Sequence, residues 1–241
     1  MANYKIHGGK KLRGVAETKT AKNSAISLMC ASLLTTEPIT LKEVPKIQDV
    51  IKLENVLKSI GVKIKREGRN MTLTAPKKLT LSEIDFENAT KLRAILFLIG
   101  CLAHRYKNFK IPRAGGCKLG KRTITPHLFG FERFGLKIIA HMNHYEIKRN
   151  KKLTGKKIVM YESGDTSTEN MILGAVLASG RTIIKFASAN YMVQDLCHML
   201  KSMGAKISNI GSTTLIIDGV KKLHGTSYYI MPDPIESMFW L

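Results

Sequence analysis

Hydrophobic and polar positions along this chain switch between a helical and a strand-like period, and the switching recurs three times. Runs apolar on nearly every face occupy residues 25–34, 94–103 and 171–178. A helix that is apolar all round is buried on all sides, so these runs predict three internal helices. Short β-branched stretches follow, such as Ile39-Thr40-Leu41 and Thr182-Ile183-Ile184, and predict strands with one face on the helices. A second helix with mixed faces comes next, over residues 50–60 in the first segment and 193–203 in the third. The second helices close at Gly61, Gly135 and Gly204, which stand 74 and 69 residues apart, and two extended stretches follow each. Glycine just past a helix is the usual left-handed stop. Such a period marks a repeated supersecondary unit, and the pattern predicts helices inside with sheets around them.

Composition adds a bias of charge. The 241 residues are enough for one to two domains, and the formal net charge is +21. An excess of this size favours polyanionic partners: nucleic acid, an anionic membrane or phosphorylated small molecules. The cations are scattered, with doublets such as Lys77-Lys78 and Lys221-Lys222 in polar stretches, and they read as a solvated lysine-rich surface. No aromatic-basic interleaving of the RNA-recognition type is present, which disfavours nucleic acid. No apolar run reaches 18 residues, so no spanning helix and no membrane are expected. The N-terminus lacks the apolar stretch of an export signal. The four cysteines lie far apart without a Cys-x-x-Cys pair, which argues against zinc and against a disulfide framework. A reducing cytoplasm and no metal are the expectation.

Candidate chemistry sits just before the apolar runs, at Lys22-Asn23, Lys91-Leu92-Arg93 and Thr168-Glu169-Asn170. A cation at a helix start opposes the positive dipole end unless an anion joins it, so Lys22 and Arg93 suggest a phosphate site. The loop Gly115-Gly116-Cys117-Lys118-Leu119-Gly120-Lys121-Arg122 places a thiol among three cations, which favours its thiolate. Cys117 is therefore a candidate acid or nucleophile. Cys30 and Cys101 fall in apolar runs and read as core, and Cys197 as structural.

Four segments in this order carry a resemblance: Ala21-Lys22-Asn23-Ser24-Ala25, Gly115-Gly116-Cys117, Thr168-Glu169-Asn170 and Asp233-Pro234-Ile235-Glu236. Along its whole length the chain resembles the enolpyruvyl transferases, and within them the branch acting on UDP-N-acetylglucosamine. The resemblance implies an α/β fold, an inside-out α/β barrel of three β-α-β-α-β-β units with buried helices. Residues 21–230 would form that domain. Residues 1–20, with a strand over 4–18, and residues 231–241 would belong to a second domain largely outside this chain.

The implied activity moves the enolpyruvyl group of phosphoenolpyruvate to the 3-hydroxyl of UDP-N-acetylglucosamine and releases phosphate, with no cofactor. The resemblance makes Cys117 the acid and the residue that fosfomycin would alkylate. It assigns Lys22, Asn23 and Arg122 to phosphoenolpyruvate. It assigns Arg93, Arg122, Thr123, Ile124, Thr125, Pro126, Glu162, Ser163, Gly164 and Asp165 to the nucleotide sugar. A general-base Asp and further Arg residues would come from the second domain, so a separate C-terminal chain is an expected partner. Three places depart from the family pattern: Thr125 stands where Asp is usual, Glu162 where a basic residue is usual, and Ala189-Asn190-Tyr191-Met192 where R-E-P-E is usual. The alternatives are another enolpyruvyl transferase, such as enolpyruvylshikimate phosphate synthase, or a non-catalytic basic nucleic-acid-binding module. Asp233, Pro234 and Glu236 also fit a capping box that starts a last helix with exposed Met238, Phe239, Trp240 and Leu241.

Overall fold

The computed structural model describes residues 3, 5, 7–9, 11, 13–114 and 123–240. The first unit comprises α1 (Lys22–Ala31), β1 (Ile39–Lys42), α2 (Gln48–Ser59), β2 (Lys63–Glu67) and β3 (Asn70–Thr74). A short α3 (Phe86–Thr90) and a 3-10 turn (Arg93–Leu96) lead into α4 (Phe97–Leu102), β4 (Asn108–Pro112), α5 (Thr125–Arg133), β5 (Leu136–Ala140) and β6 (His144–Arg149). The third unit holds β7 (Lys157–Val159), α6 (Asp165–Ala175), β8 (Arg181–Lys185), α7 (Tyr191–Ser202), β9 (Lys206–Ser208) and β10 (Thr214–Asp218). The chain then forms β11 (Thr226–Tyr229) and α8 (Pro234–Trp240).

The sheets share one strand order, β11-β1-β3-β2 in the first and β7-β8-β10-β9 in the third. Their leading strands run parallel to the next, with Thr226 opposite Ile39 and Lys157 opposite Ile183. The first sheet thus takes its leading strand from the far end of the chain, which closes the ring of units. The second sheet, β4-β6-β5, has three strands among the described residues, one fewer than the six-element unit predicts. The segment ahead of it is committed to helix instead, because the Asp85 carboxylate accepts the Asn88 N–H at 3.0 Å and starts α3, which packs on α2.

The three apolar runs are interior helices. Every residue from Ser24 to Ala31 in α1, all of α4, and Ser167 to Ala175 in α6 are buried. The second helices close as expected: Gly61, Gly135 and Gly204 have φ of 97°, 85° and 97°. After α2 the Val62 N–H reaches the Leu57 carbonyl at 3.0 Å, and after α7 the Ala205 N–H reaches Leu200 at 2.9 Å.

The interior helices run side by side in the same direction. Asn170 bonds Leu96 and His104 bonds Leu173, so α4 and α6 advance together. The Cys101 thiol meets the Cys30 carbonyl and Arg105 meets Leu33, so α1 advances with them. The fit is close, since a Cβ on Gly100 would stand 2.7 Å from the Asn170 carbonyl oxygen. His127 beside Asn170, and Phe131 beside Gly174, show α5 in the same sense. The N-termini of α1, α4, α5 and α6 therefore lie at one end of the bundle.

Both ends of the chain cross at this domain's edge. Thr20 pairs with Pro232, the Ala21 N–H donates to the Met231 carbonyl at 2.9 Å, and the Asp233 N–H donates to Lys19 at 2.8 Å. The described residues among 3–19 carry no strand, in contrast to the strand expected over 4–18: among the described residues the β-pairing at this crossing is the single bridge of Thr20 with Pro232, and Thr18 and Lys19 are held by bonds to Ser237, Asp233 and Glu236 instead. The capping box also forms only in part. Asp233 Oδ1 accepts the Ile235 N–H at 2.9 Å as a cap, whereas the Glu236 carboxylate accepts the Lys19 N–H at 2.8 Å. The Asp233 amide is already used by Lys19, so Glu236 ties the two chain ends together instead. Ile235, Met238, Phe239 and Trp240 are exposed on α8, and Leu241 lies outside the described residues.

Candidate functional site

The end of the bundle where the helix N-termini gather has unpaired backbone N–H groups and the positive ends of helix dipoles, a setting that favours anions. Lys22 and Asn23 open α1 there, both exposed, after an extended Ala21 that provides no side-chain cap. The Lys22 ammonium lies 2.6 Å from Asp49 Oδ2 in the first turn of α2. Sequence reasoning called for an anion beside Lys22, and the free chain supplies one of its own in Asp49. An open depression is lined by Lys22, Ile47, Gln48 and Asp49.

Arg93 opens the 3-10 turn before α4, and its guanidinium donates to the Thr123 carbonyl at 2.9 Å. This joins the start of the second interior helix to the segment 123–126. In that segment the Thr125 N–H donates to Thr123 Oγ1 at 3.1 Å, and the two threonine hydroxyls are 2.6 Å apart. Ile124 is half-buried, Pro126 is buried in the first turn of α5, and both threonines are exposed. Cys117, Lys118, Lys121 and Arg122 lie outside the described residues, which resume at Thr123.

The segment 162–165 adjoins this one, because Phe129 of α5 and Tyr161 meet edge to face at 5.7 Å. Glu162 and Ser163 are exposed, and Gly164 is the extended residue before α6. A Cβ on Gly164 would come within 2.9 Å of Glu162 Oε1 and 2.8 Å of Ser167 Oγ, so glycine lets both side chains fold over the helix start. The Asp165 carboxylate turns inward, accepting the Ser188 hydroxyl at 2.5 Å and the Asn190 amide at 3.2 Å.

Thr168-Glu169-Asn170 differ from expectation. They lie within α6, a full turn past its start, and all three are buried. The apolar run predicts a helix start near Met171, but the polar stretch from Asp165 on forms the first turn of the same helix. Asn170 Nδ2 donates to the Leu96 carbonyl at 2.8 Å and to His127 Nδ1 at 3.1 Å, and its Oδ1 accepts the Gly100 N–H at 3.1 Å. Burial raises Glu169 to about 8, opposed by the nearby Ser27 hydroxyl and helped by Asp165 and Asp195, so at neutral pH it is mostly protonated. Sequence reasoning stopped at Pro126 and missed His127. Burial, then nearby Arg93, pushes this imidazole down to about 3, so it is neutral and accepts from Asn170 through Nδ1. A histidine on the first turn of a helix, directly after a candidate binding segment, was the available signal.

Cys30, Cys101 and Cys197 are buried and free, and burial pushes the Cys197 thiol up to about 12, which suits packing rather than reactivity. Among the described residues no group of three or more His, Cys, Asp or Glu side chains could hold a metal ion, and no helix is long and apolar enough to cross a membrane.

The sequence matches the EPSP synthase (3-phosphoshikimate 1-carboxyvinyltransferase) family over residues 6–241. It is 41% identical over 238 residues to a protein of Prochlorococcus marinus (strain MIT 9515) named UDP-N-acetylglucosamine 1-carboxyvinyltransferase, covering 98% of this chain and 52% of that protein. A protein of the same name from Gluconobacter oxydans (strain 621H) is 37% identical over 236 residues, covering 98% of this chain and 56% of the relative. The chain spans about half the length of the curated relatives it matches. Among solved structures, the enolpyruvyl transferase NikO from Streptomyces tendae superposes with a TM-score of 0.83 and 21% identity, over 98% of this chain and 56% of that one. The EPSP synthase of Acinetobacter baumannii gives a TM-score of 0.72 at 16% identity, over 94% and 51%. These two likenesses establish the fold.

Proposed function

The chain belongs to the EPSP synthase family, and from that premise we propose that it provides the half of an enolpyruvyl transferase that moves the enolpyruvyl group of phosphoenolpyruvate to the 3-hydroxyl of UDP-N-acetylglucosamine. One observation carries the reading: parallel interior helices bring Lys22, Asn23, Arg93, segment 123–126 and segment 162–165 to the same end of the domain. In the first step the acceptor hydroxyl attacks C2 of phosphoenolpyruvate while an acid protonates C3. In the second, a C3 proton and phosphate leave, and the enol ether remains on the sugar. Cys117 is the acid, and the thiol that fosfomycin would alkylate. Lys22 and Arg122 hold the phosphate and carboxylate, where preorganised positive charge stabilises the developing anion. Asn23 positions the reacting centre. Arg93 and residues 122–126 take the nucleotide, and residues 162–165 face its diphosphate.

The acceptor is the nucleotide sugar rather than 3-phosphoshikimate because the relatives near 40% identity carry the UDP-N-acetylglucosamine name. The reaction opens peptidoglycan synthesis, which sets the chain in the cytoplasm. The general base and the closing arginines belong to the half of the relatives that this chain does not span, so a polypeptide equivalent to that half is the partner. Without it, turnover falls by orders of magnitude. The test is phosphate release from phosphoenolpyruvate with that partner added. Release dependent on UDP-N-acetylglucosamine and lost in Cys117→Ser supports the reading, whereas release dependent on 3-phosphoshikimate, or none with either acceptor, overturns it.

A further inference from the structure

Lys22 and Asn23 can act only if the first turn of α1 is held still, yet Ala21, which precedes it, brings no capping side chain. What holds Ala21 comes from the other end of the chain. Its N–H donates to the Met231 carbonyl at 2.9 Å. Met231 is held in turn by its own N–H, which donates over 3.4 Å to Asp195 Oδ2 of α7. The other oxygen of Asp195 accepts the Tyr228 hydroxyl of β11 at 2.7 Å. Asp195 is 3% exposed, so its charge must be answered by groups inside the protein. Burial raises it above the usual carboxylate range, against the opposing pull of the Tyr228 and Ser24 hydroxyls and the Met231 amide. Ser24 belongs to the same first turn of α1 as Lys22 and Asn23.

We propose that Asp195 is a positioning residue for the anion site, fixing the first turn of α1 through Met231 and Ala21. The inference rests on the reading of Lys22 and Asn23 as phosphoenolpyruvate ligands, but its mechanical part stands apart from it. One buried carboxylate fastens α7, β11 and the returning chain, and the returning chain fastens the start of α1. Tyr228 fixes the carboxylate's orientation through the oxygen that does not hold Met231.

Amide hydrogen exchange on the full chain tests this without ligand. In the unsubstituted protein the Ala21 and Met231 amides should open together with protection factors within threefold of each other, and a difference above tenfold overturns the proposal. In Asp195→Asn, which keeps an oxygen for Tyr228, the Ala21 amide should exchange about tenfold faster while Leu28 and Met29 in the same helix change less than twofold. Equal acceleration of all three marks a general loss of stability and overturns it, as does no change at Ala21. Tyr228→Phe keeps the Met231 bond and should leave Ala21 within threefold. A phosphoenolpyruvate titration then separates the two layers: weaker binding in Asp195→Asn by about tenfold supports both. No binding to the unsubstituted protein removes the ligand reading and leaves the exchange result to judge the positioning.

Discussion

The starts of α1 and α6 are equivalent points of a repeated unit, and they do opposite things. At α1 the side chains of Lys22 and Asn23 face solvent, with Asp49 closing on the lysine. At α6 the polar groups turn inward: Asp165 binds Ser188 and Asn190, Glu169 is buried with its proton, and Asn170 bonds α4 and α5. Lys22 and Asn23 at the first helix start are available to an outside anion, whereas residues 168–170 of the other helix are buried and serve internal packing and hydrogen bonds. A polar motif before a buried helix can thus mark a binding site or a joint, and burial decides which.

Substitutions that remove the joint should cost the most stability. Asn170→Ala leaves the Gly100 N–H, the Leu96 carbonyl and His127 Nδ1 without their partner, and at about 1–3 kcal/mol for each buried orphaned group the loss should reach about 3 kcal/mol or more. Urea unfolding checks it, and a loss under about 1 kcal/mol would dissolve the contrast between the two helix starts. Gly100→Ala drives a methyl to 2.7 Å from the Asn170 carbonyl oxygen and should cost about 1–3 kcal/mol by overpacking.

Glu169→Gln should act through pH. The buried carboxyl has its pKa raised from 4.5 to about 8, so the folded state holds a proton that the unfolded chain releases. Its penalty is absent below pH 4.5, grows as pH rises toward 8 by at most about 1.4 kcal/mol per unit, and then levels off. Wild-type stability should therefore fall across that window relative to the glutamine variant, and parallel stability curves would refute the assignment. The smallest effect belongs to the exposed pair: Asp49→Asn should change stability by about 0.5 kcal/mol or less, the usual worth of a surface ion pair, while freeing Lys22 and tightening phosphoenolpyruvate binding in a calorimetric titration.

Much of the architecture was readable from periodicity alone. Three apolar runs could only be interior helices, and Gly61, Gly135 and Gly204 marked the ends of the second helices because each adopts positive φ. The missing strand of the second sheet was not readable, since Asp85 and Asn88 form a local helix start that no hydrophobic pattern reports. Nor was the role of Glu236, because a capping box and a bond to Lys19 use the same side chain, and only the crossing of the two chain ends selects between them. Among the site residues, Lys22 and Arg93 were legible as cations at helix starts, whereas their partners Asp49 and Thr123 depend on tertiary contact.

A phosphoenolpyruvate titration of the isotope-labelled full chain, followed amide by amide, tests the central contrast most directly. Shifts should centre on Lys22, Asn23 and Ser24, binding should weaken at least tenfold in Lys22→Ala, and residues 168–170 should show no comparable response. Binding that ignores Lys22→Ala, or shifts centred on residues 168–170, would contradict it.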